Sequence, residues 1–211
     1  MRSERAQRVL DVVGASVGLL ILSPLFGAIA IAIALDDGGP VLFRQMRVGR
    51  DGKDFSMLKF RSMVVDADRR GGLLTLAQDR RITRLGRWLR RFKLDELPQL
   101  VNVLAGDMAL VGPRPEVRRY VDLYTAEQRR VLDLRPGITD PASLAYFDEG
   151  DLLARSADPE RTYITEIMPH KIDMNLIYAA GASVGSDVAV VLRTIARPLG
   201  RRTSTLASLP R

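Results

Sequence analysis

One long apolar segment, residues 12–35, constrains this chain more than any other feature, because it contains no charged side chain. Twenty-four residues of continuous helix would rise about 36 Å, which exceeds the ~30 Å hydrocarbon core of a bilayer. Ser23-Pro24 lies at the middle of the segment. Proline lacks an N–H and clashes with the preceding turn, so it predicts a kink or break. Each arm would then be about 17 Å long, close to the thickness of one leaflet.

Basic residues flank the apolar segment on both sides. They are Arg2, Arg5 and Arg8 before it and Arg44, Arg47, Arg50 and Lys53 after it. Positive charge marks the cytoplasmic end of a membrane segment, and here it marks both ends. A re-entrant hairpin that enters and leaves on one face agrees with this pattern. A tilted, proline-kinked span agrees with the length, and the residues alone leave both topologies open.

Length and composition predict one further domain. The chain has 211 residues, a formal net charge of +7 and no cysteine, which favours an anionic partner and excludes thiolate metal sites and disulfides. We expect a membrane helix at residues 1–35, a cytoplasmic domain at 36–199 and a disordered basic tail at 200–211. A single histidine, His170, argues against a Ser-His-Asp triad.

The periodicity predicts a mainly α fold with a small β-hairpin (α+β). Strands at residues 41–43 and 55–60 flank the polar turn at 49–52. Helical patterns cover 83–93, 97–104, 117–132, 159–180 and 184–198. The helix at 83–93 is basic and amphipathic, and its apolar face carries Trp88 and Phe92. These rings suit a membrane interface, with Arg90 turned toward the active site.

Two adjacent acids, Asp95 and Glu96, begin the next helix amid basic residues. Acids at a helix start commonly serve as caps and complement the helix dipole. Carboxylates beside Arg and Lys are also what a Mg²⁺-dependent, phosphate-handling site needs. Arg114 lies between two prolines that restrict its backbone, and Lys59 and Arg61 alternate along a strand and so share one face. Both the capping and the phosphate-site interpretation remain open at this point.

Several separate motifs resemble the bacterial sugar transferase family, specifically the small monotopic phosphoglycosyl transferases. The resemblance covers most of residues 5–197 and keeps the order of the family's motifs. The matching stretches are Arg8-Val9-Leu10-Asp11 with the Pro-broken segment, Gly39-Pro40-Val41-Leu42-Phe43-Arg44-Gln45 with Arg47-Val48-Gly49, Lys59-Phe60-Arg61-Ser62-Met63, Arg90 with Leu94-Asp95-Glu96-Leu97-Pro98-Gln99, the stretch from Asp107 to Glu116, and Arg135-Pro136-Gly137-Ile138-Thr139. Lys93, Ala109 and Asp140 depart from the common pattern, which leaves the sugar open.

The resemblance implies a reaction at the cytoplasmic face of the bacterial inner membrane, with a monotopic, re-entrant helix. Asp95 would attack the β-phosphate of a UDP-sugar, release UMP and pass the sugar phosphate to undecaprenyl phosphate. Asp95 and Glu96 would hold Mg²⁺, and the substrate phosphates would be bound by Lys59, Arg61, Arg90 and Arg114. The partners would be these two substrates and membrane lipid, without nucleic acid, and a homodimer is compatible with the sequence.

The alternative is a membrane-tethered basic module that binds anionic lipid or nucleic acid without catalysis. It accounts for the net charge and for the basic helix at residues 83–93. It gives no reason for two acids amid the basic cluster or for an Arg fixed between prolines. Salt-sensitive binding without turnover would favour it.

Overall fold

The structure, a computed structural model, describes residues 3–67, 74–75 and 79–197. The predicted tail at 200–211 lies outside these residues. The helices are α1 (Glu4–Asp37), α2 (Arg84–Arg91), α3 (Gln99–Ala105), α4 (Arg118–Val121), α5 (Ala126–Arg129), α6 (Pro141–Ala145), α7 (Glu149–Leu153), α8 (Pro159–Thr162), α9 (Met168–Gly181) and α10 (Val184–Ala196). The strands are β1 (Leu42–Val48), β2 (Asp54–Phe60), β3 (Ala109–Val111) and β4 (Gly137–Thr139). The prediction of a mainly helical protein with a small hairpin is confirmed.

The apolar segment forms one helix, α1, that continues through Pro24. The expected helix-break-helix is therefore not two separate helices. Proline inside a helix costs about 3 kcal/mol, partly because the carbonyl four residues earlier loses its donor. Here that carbonyl belongs to Leu20, and the Ser23 hydroxyl donates to it at 2.8 Å. This hydrogen bond offsets part of the cost and keeps the chain helical at the Ser-Pro pair.

Helix α1 packs against the rest of the protein along most of its length. Its first half, with Ala15, packs on Met57 and the α3 residue Val103, and its second half, with Ile29, packs on Phe60 and Leu89. Because side chains spaced three and four apart face the same side, one stripe of α1 is covered by the domain.

The opposite side of α1 is exposed and apolar. Its exposed large side chains are Val9, Val12, Val13, Val17, Leu20, Ile21, Ile31 and Leu35. Within the described residues, Glu4–Asp36 is the one helix long and apolar enough to cross a membrane by length and composition, and an 18-residue stretch within it has a mean hydropathy of 2.5. These features fit a membrane protein.

Two polar side chains near the start of α1 bind the domain. Asp11 is 1% exposed, and its Oδ1 accepts from the Leu110 N–H at 2.8 Å. The Arg8 guanidinium donates to the carbonyls of Val103 at 2.6 Å and Leu104 at 2.9 Å. These carbonyls lie in the last turn of α3, where the Gly106 N–H also donates to the Val103 carbonyl at 3.1 Å, so Arg8 adds to the C-cap of α3. Arg8 thus has a structural role beyond the flanking charge that the sequence suggested.

Strands β1 and β2 form the predicted antiparallel hairpin. Their register pairs Leu42 with Phe60 and Val48 with Asp54. Strand β1 runs farther than the expected 41–43, up to the turn at 49–52. Strand β2 ends at Phe60, so Arg61 lies just beyond the strand and not within it.

A second, parallel pair joins two motifs that are distant in sequence. Strands β3 and β4 pair with Ala109 opposite Gly137 and Val111 opposite Thr139. The predicted helix at 117–132 is wrong as one element, since the chain forms α4, α5 and a 3₁₀ turn there. Helix α4 ends at Val121, and Thr125 starts α5 with a capping box to Gln128, so a new helix begins inside the predicted one.

Candidate active site

The two acids lie in a 3₁₀ turn, Leu94–Glu96, between α2 and α3. Lys93 precedes this turn with a φ of +57°, a left-handed conformation that ends the basic helix and redirects the chain. Pro98 then stands at the N-cap of α3, where its missing N–H costs nothing. The local sequence therefore places both carboxylates at a sharp turn, and both are buried.

Glu96 binds two cations that come from different parts of the chain. The Arg114 guanidinium donates to both carboxylate oxygens, at 3.1 Å from Nη1 to Oε2 and in a short contact from Nη2 to Oε1. Lys59 Nζ lies 3.4 Å from Oε1. A fork-to-fork pair of this kind fixes orientation as well as charge. Glu96 therefore holds Arg114 and Lys59 in place.

The electrostatics of this cluster follow from burial and pairing. Burial raises the pKa of Glu96, but the positive charges of Arg114 and Lys59 outweigh it and hold that pKa well below its usual range. Burial lowers the pKa of Lys59 to about 8, although Glu96 opposes the shift. The negative charge of Glu96 raises the pKa of Arg114. At neutral pH the cluster is an ionised carboxylate between two cations.

Asp95 has a different environment from its neighbour. It is 4% exposed, and its Oδ1 has no hydrogen-bond partner among the described residues. Burial and then the negative charge of Glu96 raise the pKa of Asp95, while Lys59 and Arg90 oppose the rise. A buried acceptor without a partner is rare in a folded protein and commonly marks a functional group. Capping alone therefore does not account for Asp95.

The loop that carries Arg114 is held by the β3–β4 pair. The Gly137 N–H donates to the Pro113 carbonyl at 2.9 Å, and the Gly112 N–H donates to the Thr139 carbonyl at 3.0 Å. A Cβ on Gly137 would lie 2.1 Å from the Gly112 nitrogen, so the two backbones approach more closely than any side chain allows. The Pro-Arg-Pro and Arg-Pro-Gly motifs are thus one structural unit that aims Arg114.

A second buried cluster, which the sequence did not predict, braces the far end of this loop. The Glu116 carboxylate accepts from Arg47 Nη1 at 3.1 Å and from the Tyr163 hydroxyl in a short contact. Burial raises the pKa of Tyr163 well above its usual value, so the hydroxyl stays a donor. Arg47 lies in Arg47-Val48-Gly49, one of the stretches that resemble the family, but nothing in the sequence indicates that it approaches Tyr163.

The other predicted phosphate-binding residues lie at different distances from the acids. Arg90 is half-buried, and its charge acts on Asp95. It forms no hydrogen bond or ion pair in the part of the chain that the structure describes. The Arg61 guanidinium packs against Gly39, where a Cβ would lie 1.7 Å from Nη1, so a larger residue at position 39 would require the guanidinium to move. The structure thus places Arg61 beside the turn that follows α1.

Helix α2 presents the two aromatic residues that the sequence assigned to a membrane interface. Trp88 is half exposed, and its ring centroid lies 5.2 Å from that of Phe92. Leu85 and Leu89, one turn away, pack against α1. The aromatic pair therefore lies outside the contact between α1 and α2.

A cleft of about 2030 Å³ among the described residues contacts Glu96 and its cations, whereas Asp95 lies beneath its surface and is not one of its lining residues. Its charged lining includes Lys59, Arg61, Arg90, Glu96 and Arg114, and its apolar lining includes Gly14, Gly18, Leu22 and Leu25 of α1. The cleft therefore connects the ionic cluster with the apolar helix.

The donor set for a metal is limited in this cleft. Within residues 3–67, 74–75 and 79–197, no group of three or more His, Asp or Glu could hold a metal ion. Both oxygens of Glu96 are already bound to cations. Asp95 Oδ1 has no hydrogen-bond partner among the described residues, but it is buried and does not line the cleft.

Comparisons with known proteins agree on one family. The profile of the bacterial sugar transferases matches residues 2–201. The chain is 37% identical over 194 residues to the UDP-N-acetylgalactosamine-undecaprenyl-phosphate N-acetylgalactosaminephosphotransferase of Aeromonas hydrophila, which covers 90% of this chain and 42% of that protein. It is 40% identical over 194 residues to the UDP-glucose:undecaprenyl-phosphate glucose-1-phosphate transferase of Caulobacter vibrioides, covering 90% and 68%. The identically named Escherichia coli protein is 36% identical over 197 residues, covering 90% and 39%.

The chain therefore spans less than half the length of two of these relatives. In each of the three relatives, the matched region corresponds to 90% of this chain. On the length of the profile match and the identity to these proteins, this chain belongs to the bacterial sugar transferase family.

Proposed function

We propose that this protein transfers a sugar 1-phosphate from a UDP-sugar to undecaprenyl phosphate and releases UMP. The named relatives act on substrates of this class, and the chain belongs to their family. The observation that carries the proposal is that the two neighbouring acids differ in their ion-pair and hydrogen-bond partners. Glu96 is neutralised by Arg114 and Lys59, whereas Asp95 keeps a buried oxygen without a partner.

In the proposed first step, a carboxylate oxygen of Asp95 attacks the phosphorus that bears the sugar. A phosphorus–oxygen bond forms to Asp95 as the bond to the bridging oxygen breaks, and that electron pair leaves on UMP. In the second step, an oxygen of undecaprenyl phosphate attacks the same phosphorus and the Asp95 carboxylate leaves. Both steps conserve charge, so neither needs a proton donor among the described residues.

The cations bound to Glu96 explain how charge could be stabilised during this transfer. Arg114 and Lys59 are fixed before the substrate binds, so they need not reorganise when charge moves onto UMP. Arg90 offers a further guanidinium without a hydrogen-bond partner in the described chain. Because its guanidinium lies against Gly39, Arg61 would bind phosphate only in that part of the cleft.

Magnesium fits the proposed site through Asp95 and not through Glu96. Mg²⁺ commonly binds one or two carboxylates together with substrate phosphates. Asp95 Oδ1 is buried without a hydrogen-bond partner among the described residues, whereas Glu96 would have to give up Arg114 or Lys59. When bound, the ion would neutralise part of the diphosphate charge.

A membrane-tethered binding module receives no support as an alternative. The relatives described above are named as transferases. A surface that only binds anions would also be weakened by Glu96, because this carboxylate neutralises Arg114 and Lys59.

Purified protein, Mg²⁺, polyprenyl phosphate and a panel of UDP-sugars test the proposed function. We expect UMP release and a lipid-linked sugar diphosphate with at least one UDP-sugar. Omitting the lipid should limit UMP release to about one equivalent of enzyme, because the covalent step stops there. Binding of UDP-sugar without UMP release across the panel would contradict the proposal.

We also propose a monotopic topology at the cytoplasmic face of the inner membrane. Both halves of α1 contact the same domain, and Arg8 and Asp11 near its start bind that domain directly. A helix that crossed the membrane would carry one end away from the domain. The exposed apolar side of α1 would instead face lipid, with Trp88 and Phe92 at the interface.

The topology predicts where a cysteine placed at Ser3 can be labelled. The chain has no native cysteine, so this variant carries a single thiol. In intact cells we expect protection from an impermeant reagent and labelling after lysis. Pro24→Leu should straighten α1, because it restores the N–H for the Leu20 carbonyl, and should raise the externally labelled fraction. External labelling of the otherwise unmodified protein would contradict the topology.

A further inference from the structure

One aromatic side chain at the cleft, Phe147, contacts a cation from each of two distant parts of the chain. Lys93 Nζ lies 5.4 Å from the centre of the Phe147 ring, and Arg197 Cζ lies 5.5 Å from it. All three residues are half-buried and line the cleft. An aromatic ring attracts a cation placed over its face, so Phe147 holds two positive charges that would otherwise repel each other.

These two cations are not neutralised by a carboxylate. Within the part of the chain that the structure describes, the Lys93 and Arg197 side chains form no hydrogen bond or ion pair. Of the two acids that follow the ring in sequence, Glu149 pairs with Lys171 at 2.6 Å, and Asp148 forms no ion pair in the described structure. Repulsion between two unpaired cations falls when an anion binds beside them, so the pair is suited to an anionic ligand.

Both cations lie at the ends of helices that present apolar side chains to the outside. Lys93 follows α2, on which Trp88 is half exposed, and Arg197 directly follows α10. The exposed apolar residues of α10 are spaced four and three apart and therefore form one stripe, Val184, Val188, Leu192 and Ile195. Ile195 also lines the cleft, so the stripe reaches it next to Arg197. A molecule with an anionic head and an apolar chain matches this arrangement, because its chain can cover the stripe.

The pair is also close to the carboxylate that we assign as the nucleophile. Burial raises the pKa of Asp95, and the charge of Lys93 is among those that oppose the rise. An anion bound at Lys93 would therefore lie near Asp95. The cations that Glu96 binds, Lys59 and Arg114, form a separate set. Because two phosphates must meet in the second step, two sets of cations match the two substrates.

We propose that Lys93 and Arg197, held by Phe147, bind the phosphate of the polyprenyl acceptor. The proposal rests on the function proposed above and adds the acceptor site to it. Lys59 and Arg114 remain with the phosphate of the sugar donor, and the polyprenyl chain extends from the cleft past Ile195 along α10. Phe147 is a positioning residue, because it acts through the two cations that it holds.

The first test is Arg197→Gln, with Arg193→Gln as its matched control. Arg193 lies one turn earlier on α10, is exposed and does not line the cleft, so both variants remove one positive charge from the same end of the helix. In uncharged phosphatidylcholine vesicles, Arg197→Gln should raise the KM for polyprenyl phosphate about 10-fold, the effect of losing one hydrogen bond to a charged group. Arg193→Gln should leave this KM unchanged. Without lipid, the rate of UMP release in the first turnover should stay unchanged in both, which also shows that they fold.

Phe147→Leu tests the positioning role without changing any charge. It removes the ring that holds the two cations, so the KM for polyprenyl phosphate should rise about 3-fold. The turnover at saturating lipid and the first-turnover release of UMP should not change. Phe147→Tyr keeps the ring and should restore the KM. A Phe147 that only stabilised the fold would affect UMP release as well, and that result would contradict the positioning role.

Binding of a short prenyl phosphate, measured by calorimetry without UDP-sugar, tests the acceptor site apart from the reaction. Arg197→Gln should weaken this binding about 10-fold, and Arg193→Gln should not. Equal effects of the two variants would mean that this end of α10 only attracts anions in general. Slower first-turnover UMP release in Arg197→Gln would assign the cation to the nucleotide. Either result would overturn the proposal. Absence of UMP release from the unaltered protein would instead contradict the proposed function, and the calorimetry would still decide on the acceptor site.

Discussion

Asp95→Asn is expected to lower turnover by about 10⁴-fold or more while the protein stays folded. Asparagine keeps the shape of the side chain and removes the anion that we propose as the nucleophile. Asp95 Oδ1 has no partner among the described residues, and the charge of Glu96 adjoins it. Removing the Asp95 charge therefore relieves repulsion, and we expect equal or higher thermal stability. A residue that only capped a helix would behave in the opposite way, losing about 1 kcal/mol of stability and little activity.

The measurement is mass spectrometry of protein incubated with UDP-sugar and Mg²⁺ without lipid. A sugar-phosphate adduct should appear on the peptide that contains Asp95 and should be absent from Asp95→Asn. Glu96→Gln is the informative comparison, because it should slow the reaction through loss of the Arg114 and Lys59 pairing and still allow the adduct. If folded Asp95→Asn forms lipid product at a substantial rate, direct transfer in a ternary complex is the better mechanism.

Arg114→Met is expected to have the next largest effect, on stability and activity together. It leaves Glu96 buried with Lys59 as its one remaining ion-pair partner in the described structure. Removing one member of a buried ion pair costs about 3–5 kcal/mol. If Arg114 binds the reacting phosphate as we propose, its loss should lower turnover by a further 10²- to 10³-fold, an estimate taken from the loss of a single transition-state donor.

A double variant separates these two effects. Arg114→Met with Glu96→Gln removes both charges of the pair, so most of the lost stability should return. Activity should remain low, because the guanidinium of Arg114 is no longer there to bind phosphate. Chemical denaturation and UMP release measured on the same samples give both quantities. Recovery of activity in the double variant would show that Arg114 serves only to neutralise Glu96.

The sequence predicted elements whose signal is local. The hairpin was predicted from the alternation of apolar and polar residues on both sides of the turn at 49–52. Helix α1 was predicted from the uncharged apolar segment at residues 12–35. Strands β3 and β4 were missed because each has only three residues, too few for an alternating pattern. The break in the predicted helix at 117–132 depends on Thr125, whose capping box competes with a continuous apolar periodicity.

The candidate site was predicted as a set of residues but not as an arrangement. The motifs that resemble the family predicted that Lys59, Glu96 and Arg114 belong to the same site. The sequence did not show that Glu96 takes both cations and that Asp95 keeps a buried oxygen without a hydrogen-bond partner among the described residues. That division depends on which side of a 3₁₀ turn each carboxylate occupies, and neighbouring positions in sequence do not reveal it. The assigned metal pair, Asp95 and Glu96, stays a prediction, with Asp95 the better ligand in this geometry.

The contact between Asp11 and the Leu110 N–H spans 99 residues of chain, and this separation has a consequence for biosynthesis. At translation rates of about 5–20 residues per second, the carboxylate waits roughly 5–20 s for its partner. An unpaired carboxylate in the bilayer interior costs about 3 kcal/mol. During this interval the start of α1 is therefore expected to stay among the headgroups, and translocation of the N-terminus is disfavoured before the domain exists. Completion of the domain then locks the helix in place, so the order of synthesis itself favours one orientation.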